Sequence, residues 1–174
     1  IADFSGMRLG PFDCKIMKAE FDFRGAIAAV ARLILDENPL TSGEYDWDFD
    51  KDLSGVTSLF DTLKTSSVTE LGLAECRLGP GSMGKLAEYV RDAKAAIARL
   101  TLSGNAITNK GKDLSGLKAL CEVLLSLKNP ISLDLADCYF CHNFKVAEVN
   151  ELARAIDGGA AIEVVAIGAN PITS

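Results

Sequence analysis

The chain has 174 residues, of which 48% are apolar, and a formal net charge of −6. A chain of this length buries roughly 70% of its unfolded surface, which is enough for one domain with its own core. No apolar run approaches the roughly 18 residues of a membrane span, and the negative charge disfavours binding to nucleic-acid phosphates. These features favour a soluble domain whose partners include neither nucleic acid nor membrane.

A short apolar phrase occurs six times along the chain and divides it into repeats. Each copy reads apolar-x-apolar-x-x-[Asn/Cys/Met]-x-apolar, and successive copies are 31, 38, 29, 33 and 32 residues apart. The first apolar residues of the copies are Ala2, Leu33, Leu71, Leu100, Leu133 and Val165. Apolar residues at alternate positions predict a strand with one buried face, and steps of this length are typical of a solenoid.

Between the phrases the apolar period changes from that of a strand to that of a helix, so helices are predicted between the strands. The apolar stripes are Leu53, Val56, Phe60 and Leu63; Leu86, Tyr89, Val90 and Ala93; Leu114, Leu117, Cys121 and Leu124; and Val146, Val149, Leu152, Ala153 and Ile156. The segment KDLSG at 51–55 recurs at 112–116, which indicates duplication of a pair of repeats.

The turn position of the phrase alternates in kind along the chain. It is Met7, Cys76 or Cys138 in the odd copies and Asn38, Asn105 or Asn170 in the even copies. The chain thereby resembles the leucine-rich repeats of the ribonuclease-inhibitor subfamily, in which Asn-type and Cys-type repeats alternate. The resemblance implies an α/β horseshoe solenoid with about six parallel strands on the concave side and helices on the convex side. We expect a single domain over 1–174, with repeats starting near 1, 32, 70, 99, 132 and 164, as a fragment of a longer chain.

The cysteines and the short motifs predict no catalytic or cofactor site. The five cysteines have no regular pairing pattern, so we expect a reduced, cytoplasmic chain. The segment 138–142 spells C-x-x-C-H, the haem-attachment signature, but Cys138 and Phe140 occupy the turn and apolar positions of the repeat. We found no nucleophile elbow, zincin motif or phosphate loop, so no enzyme, metal or cofactor is expected.

An acidic and aromatic insert at 45–52 accounts for the longest step between phrases. It alternates aromatic residues with aspartates: Tyr45, Asp46, Trp47, Asp48, Phe49 and Asp50. The aspartates resemble the start of a calcium loop, but Lys51 stands where an EF-hand requires glycine. The aromatic residues lie on one side of an extended segment, where they either cover neighbouring turns or present Trp47, the only tryptophan, to a partner.

The polar positions of the phrases predict an acidic concave face. They hold the carboxylates of Asp3, Asp36, Glu37, Glu70, Glu75, Asp134 and Asp137, whereas the only basic residues are Arg32 and Arg99. Small neighbours keep this face low: Gly72, Ala74, Thr101, Ser103, Gly104 and Ala136. A surface of one sign steers oppositely charged partners toward it. The candidate partner-binding residues are Asp36, Glu37, Glu70, Glu75, Arg99, Asp134, Asp137 and Trp47.

The sequence therefore predicts a noncatalytic module whose concave face binds a basic protein segment. One alternative is a GTPase regulator, since the resemblance extends to Ran GTPase-activating proteins and Arg32 and Arg99 lie on the predicted face. Another is a purely structural segment of a larger scaffold. The end repeats also expose core positions such as Val165 and Ile167, so self-association through the ends is a further expectation.

Overall fold

The computed structural model describes residues 1–41, 48–140 and 146–170. Within these ranges lie six parallel strands, which form one sheet in chain order, five α-helices and a short 3-10 helix at Ala26–Ala29. The elements are β1 (Ala2–Asp3), α1 (Pro11–Arg24), β2 (Arg32–Ile34), α2 (Ser54–Leu63), β3 (Glu70–Gly72), α3 (Pro80–Asp92), β4 (Arg99–Thr101), α4 (Ser115–Ser126), β5 (Ile131–Asp134), α5 (Ala147–Asp157) and β6 (Ile162–Ala166). The predicted α/β class with six parallel strands is confirmed.

The sheet register aligns the six apolar phrases with one another. Their first apolar residues form a single row across the sheet: Ala2, Leu33, Leu71, Leu100, Leu133 and Val165. The four leucines of this row are buried in a core that also contains the apolar faces of α2, α3 and α4. Side chains alternate along a strand, so the residues before and after each of these leucines point to the other face of the sheet. We call this the open sheet face.

A buried asparagine holds the turn after β4. The Asn105 side chain is fully buried, and its Oδ1 accepts hydrogen bonds from the backbone N–H groups of Cys76 (3.0 Å) and Leu78 (2.9 Å) in the preceding repeat. Its Nδ2 donates to the carbonyls of Leu73 (2.7 Å) and Leu102 (2.9 Å). Bonds of the same kind are made by Asn38 and Asn170. Each asparagine thus joins the end of its own strand to the turn of the repeat before it.

The cysteines at the alternate turns act as thiol donors. Cys76 Sγ donates to the carbonyl of Leu35 (3.1 Å), and Cys138 Sγ donates to the carbonyl of Leu102 (3.3 Å). Burial raises the pKa of the Cys138 thiol to about 12, so it stays protonated at neutral pH. A buried, protonated thiol is inert as a nucleophile or metal ligand. Cys141 and His142, the other two residues that the C-x-x-C-H motif specifies, lie outside the described residues.

The buried face of α5 differs from the predicted one. Val146 and Ile156, two members of the predicted stripe, are 49% and 47% exposed, whereas the buried residues of the helix are Glu148, Leu152 and Ala155. The helix packs against α4 on one side, and no further helix of the described chain covers its other side. The prediction is right for Leu152 and wrong for Val146 and Ile156, because α5 leaves part of its apolar side uncovered.

Candidate functional site

The residue before each turn asparagine, cysteine or methionine has a left-handed backbone conformation. These residues are Gly6, Glu37, Glu75, Gly104, Asp137 and Ala169, with φ between 51° and 71°. The backbone N–H groups of the first five donate hydrogen bonds to carbonyls of the next repeat, as from Glu37 to Ala74 (2.8 Å) and from Asp137 to Gly168 (3.0 Å). Because the backbone geometry is the same at each position, three acidic residues of this set fall into one row at the carboxyl edge of the sheet.

Glu37, Glu75 and Asp137 line a depression of about 360 Å³ at this edge, which we call the turn depression. Its other lining residues are Pro39, Phe49, Arg77, Gly104, Ala106 and Tyr139. The Glu75 side chain packs directly against Gly104. A Cβ on that glycine would lie only 2.6 Å from Glu75 Cγ, so no larger residue fits there without a shift of Glu75. Small residues form part of the lining and aromatic rings contribute to it, so the turn depression combines negative charge with apolar surface.

Asp36 and Asp134 extend the negative charge from the turn depression onto the open sheet face. Asp36 Oδ1 accepts a hydrogen bond from the backbone N–H of Ala74 (2.8 Å), and Asp134 Oδ1 accepts one from Ala136 (3.0 Å). Burial raises the pKa of the Asp36 carboxyl, and the nearby negative charges of Asp3 and Glu37 act in the same direction. A positively charged guest near Asp36 would therefore relieve repulsion among carboxylates.

Glu70 and Arg99 lie at the opposite, amino end of the strands. The register places Glu70 between Arg32 and Arg99 on the neighbouring strands, and Arg32 Nε lies 3.5 Å from Glu70 Oε2. This row therefore mixes both signs of charge. The seven candidate residues that the structure describes form two groups: a balanced group at the amino ends of the strands and an acidic group at the carboxyl ends. The alternation of side chains along a strand predicts which residues lie on the open sheet face. It does not predict that the balanced and the acidic groups lie at opposite ends of the strands.

The described end of the insert caps a helix. Asp50 Oδ1 accepts a hydrogen bond from Gly79 N (3.0 Å), and Asp50 Oδ2 accepts one from Gly81 N (2.6 Å), at the start of α3. The neighbouring Phe49 lines the turn depression. Asp50 therefore uses its carboxylate to satisfy N–H groups at a helix N-terminus, where negative charge is stabilising. Trp47, the insert's candidate contact, lies outside the described residues.

Replacing Asp50 with asparagine is expected to lower the free energy of unfolding by about 1–2 kcal/mol, because the cap loses its charge and one acceptor oxygen. Asparagine tolerates the left-handed backbone at this position, where φ is 54°. The matched control is Asp48→Asn, which makes the same charge change at a carboxylate that forms an ion pair with exposed Lys51. Urea unfolding followed by circular dichroism measures both. Equal losses in the two variants would contradict the capping role.

The described side chains offer no grouping suited to a metal ion. Within these residues, no three His, Cys, Asp or Glu side chains come together to hold one. None of the helices in the described ranges has the length and apolar character needed to cross a membrane. The lining of the turn depression supplies carboxylates, aromatic rings and one guanidinium.

Comparison with known proteins gives no family for this chain. A scan against models of protein families and a search of curated proteins both found no match. The repeat pattern, the register and the geometry of the turn depression are therefore the observations from which a function is proposed.

Proposed function

We propose that the chain is a leucine-rich repeat solenoid of the ribonuclease-inhibitor-like type and that it is a noncatalytic module for protein binding. The support for the repeat type is the alternation of asparagine and cysteine at equivalent turns. Both residue types bond backbone carbonyls of the preceding repeat, which explains why either is suitable there. The parallel strands in chain order also fit stacked repeats, in which each unit contacts its neighbours.

The partner in this proposal is a basic segment of another protein, bound at the turn depression. The observation that carries the proposal is the convergence of Glu37, Glu75 and Asp137 on one depression of about 360 Å³. With Arg77 included, the charged lining residues have a net charge of −2. Asp36 and Asp134 continue this charge along the sheet, so an extended segment with several cationic side chains would have carboxylates along its path.

The test of this proposal is a charge reversal with a matched control. The variant carries Glu37→Lys, Glu75→Lys and Asp137→Lys, which changes the formal charge from −6 to zero. The control reverses the charge of three exposed residues in the carboxyl-terminal halves of helices α2, α4 and α5, and it makes the same change in net charge. These residues are Asp61, Glu122 and Asp157. The probe is a short fluorescein-labelled arginine–glycine peptide, and fluorescence anisotropy measures its dissociation constant at low and at physiological salt.

We expect the turn-depression variant to bind the peptide about 10- to 100-fold more weakly than the native chain. Each exposed ion pair contributes about 0.2–1 kcal/mol, and reversal replaces attraction with repulsion at three positions. The control variant is expected to lose much less, since distant surface charges are screened. Equal losses would mean that only net charge matters, and retained binding in the first variant would overturn the proposed site. Affinity capture from a lysate with the same pair of proteins then identifies the natural guest.

The two other hypotheses from the sequence stay predictions. A GTPase regulator would use an arginine near its partner, but Arg32 is paired with Glu70 at the end of the sheet opposite the turn depression. A structural scaffold segment would tolerate the charge reversal without any change in partners. Self-association through the end repeats also stays a prediction. Val165 and Ile167 are partly exposed, so their side chains are available for such a contact.

A further inference from the structure

A cation of the chain itself stands over an aromatic ring of the turn depression. Lys110 Nζ lies 5.4 Å from the centroid of the Tyr139 ring. Tyr139 is 39% exposed and is one of the residues that line the turn depression. An ammonium or guanidinium group at this distance is attracted by the negative face of an aromatic ring. The ring is therefore a cation-binding surface, and in this structure it is occupied by a residue of the same chain.

The loop that carries Lys110 is closed by hydrogen bonds. Asp113 N donates to the carbonyl of Thr108 (3.0 Å), and Gly111 N donates to Thr108 Oγ1 (3.2 Å). Thr108 Oγ1 in turn donates to the buried carboxylate of Glu148 on α5 (3.2 Å). These bonds tie the loop to the adjacent helix and set the position from which Lys110 reaches the ring.

Resting on the proposed function above, we propose that Tyr139 and the nearby carboxylate of Asp137 form a subsite for one arginine or lysine side chain of the bound segment, and that Lys110 competes with that side chain for the ring. A second cation at the same ring would be repelled by the Lys110 ammonium. It would also find the negative face of the ring already in contact with that ammonium. Binding of the guest therefore displaces Lys110 into solvent. The contact lowers the affinity for single cationic groups and favours segments that also engage the neighbouring carboxylates.

Lys112 provides a matched control for this proposal. It lies in the same loop, two residues from Lys110, it is exposed, and no ring contact is recorded for it among the described residues. Lys110→Gln and Lys112→Gln therefore remove the same charge from the same loop, and only the first removes the cation from the ring. The third variant is Tyr139→Asn, which removes the ring and suits the left-handed backbone at this position, where φ is 59°.

The experiment measures the dissociation constant of the arginine–glycine peptide for these variants and for two double variants, in which Tyr139→Asn is combined with Lys110→Gln or with Lys112→Gln. We expect Lys110→Gln to tighten binding about two- to fivefold relative to Lys112→Gln, which corresponds to the strength of an exposed cation–π contact. Tyr139→Asn should weaken binding, and in its background the two lysine substitutions should become equivalent. Circular dichroism verifies that each variant is folded.

Equal effects of the two lysine substitutions would overturn the competition, as would a Lys110 effect that persists without the ring. Either result leaves the proposed function intact if the charge-reversal variant still fails to bind the peptide. By contrast, failure of the native chain to bind the peptide would overturn the proposed function, and this inference with it. The two failures are therefore distinguishable in one set of titrations.

Discussion

Replacing Asn105 with alanine is expected to lower the free energy of unfolding by about 3–5 kcal/mol. The side chain is fully buried and satisfies two backbone N–H groups and at least two carbonyls across two repeats. Alanine would leave these groups without partners, and each unsatisfied buried group costs about 1–3 kcal/mol before relaxation. Because some of the groups will find new partners or water, the loss should fall below the simple sum.

Asn170→Ala is the control for this substitution. Asn170 makes the same kinds of bonds, with Phe140 N at 3.0 Å and the carbonyl of Leu135 at 2.8 Å, but it is only partly buried. Water can replace a partly exposed partner, so the expected loss is about 1 kcal/mol. Urea unfolding curves with equal slopes give both values. Similar losses at the two positions would contradict the view that burial of the asparagine side chain sets the cost.

The strands and their register could be predicted from the sequence because one local pattern encodes them. Leucines at alternate positions, followed by an asparagine or cysteine, define both the buried face and the end of the strand. The row from Ala2 to Val165 then follows from aligning the phrases. The acidic turn residues were identified for the same reason, since Glu37, Glu75 and Asp137 occupy one position of the repeat. The repeat pattern could not predict that they share a depression with Tyr139, because the space between side chains depends on their packing.

The features that the sequence could not predict depend on contacts between distant residues. Asp50 caps a helix whose first turn lies 29 residues further along the chain, and nothing in the local pattern of the insert indicates this. Glu148 is fully buried although carboxylates are usually exposed, and its Oε1 accepts a hydrogen bond from Thr108 on the neighbouring loop. In both cases the partner of the carboxylate is backbone or side chain of another repeat.

Two glycines at equivalent positions of the duplicated block allow close contact between helices. A Cβ on Gly55 in α2 would lie 2.4 Å from Pro11 Cα at the start of α1. A Cβ on Gly116 in α4 would lie 2.3 Å from the carbonyl oxygen of Pro80 at the start of α3. Both distances are well below van der Waals contact, and both involve backbone atoms that side-chain rotation cannot move. The repeated KDLSG segment therefore encodes a helix–helix contact as well as a helix start.

Gly116→Ala is consequently expected to destabilise the chain by about 2–3 kcal/mol, since α3 and α4 must move apart to admit one methyl group. The same substitution at Gly84 in α3 should have the opposite sign. A Cβ on Gly84 would meet no atom within 4 Å, so alanine there gains helix propensity and should stabilise the chain by about 0.5–1 kcal/mol. Thermal and urea unfolding of the two variants measure both changes. If Gly116→Ala were as favourable as Gly84→Ala, the close approach of α3 and α4 would be refuted. The opposite signs would show that the glycine in KDLSG is retained for packing between helices, because its intrinsic preference disfavours the helix it occupies.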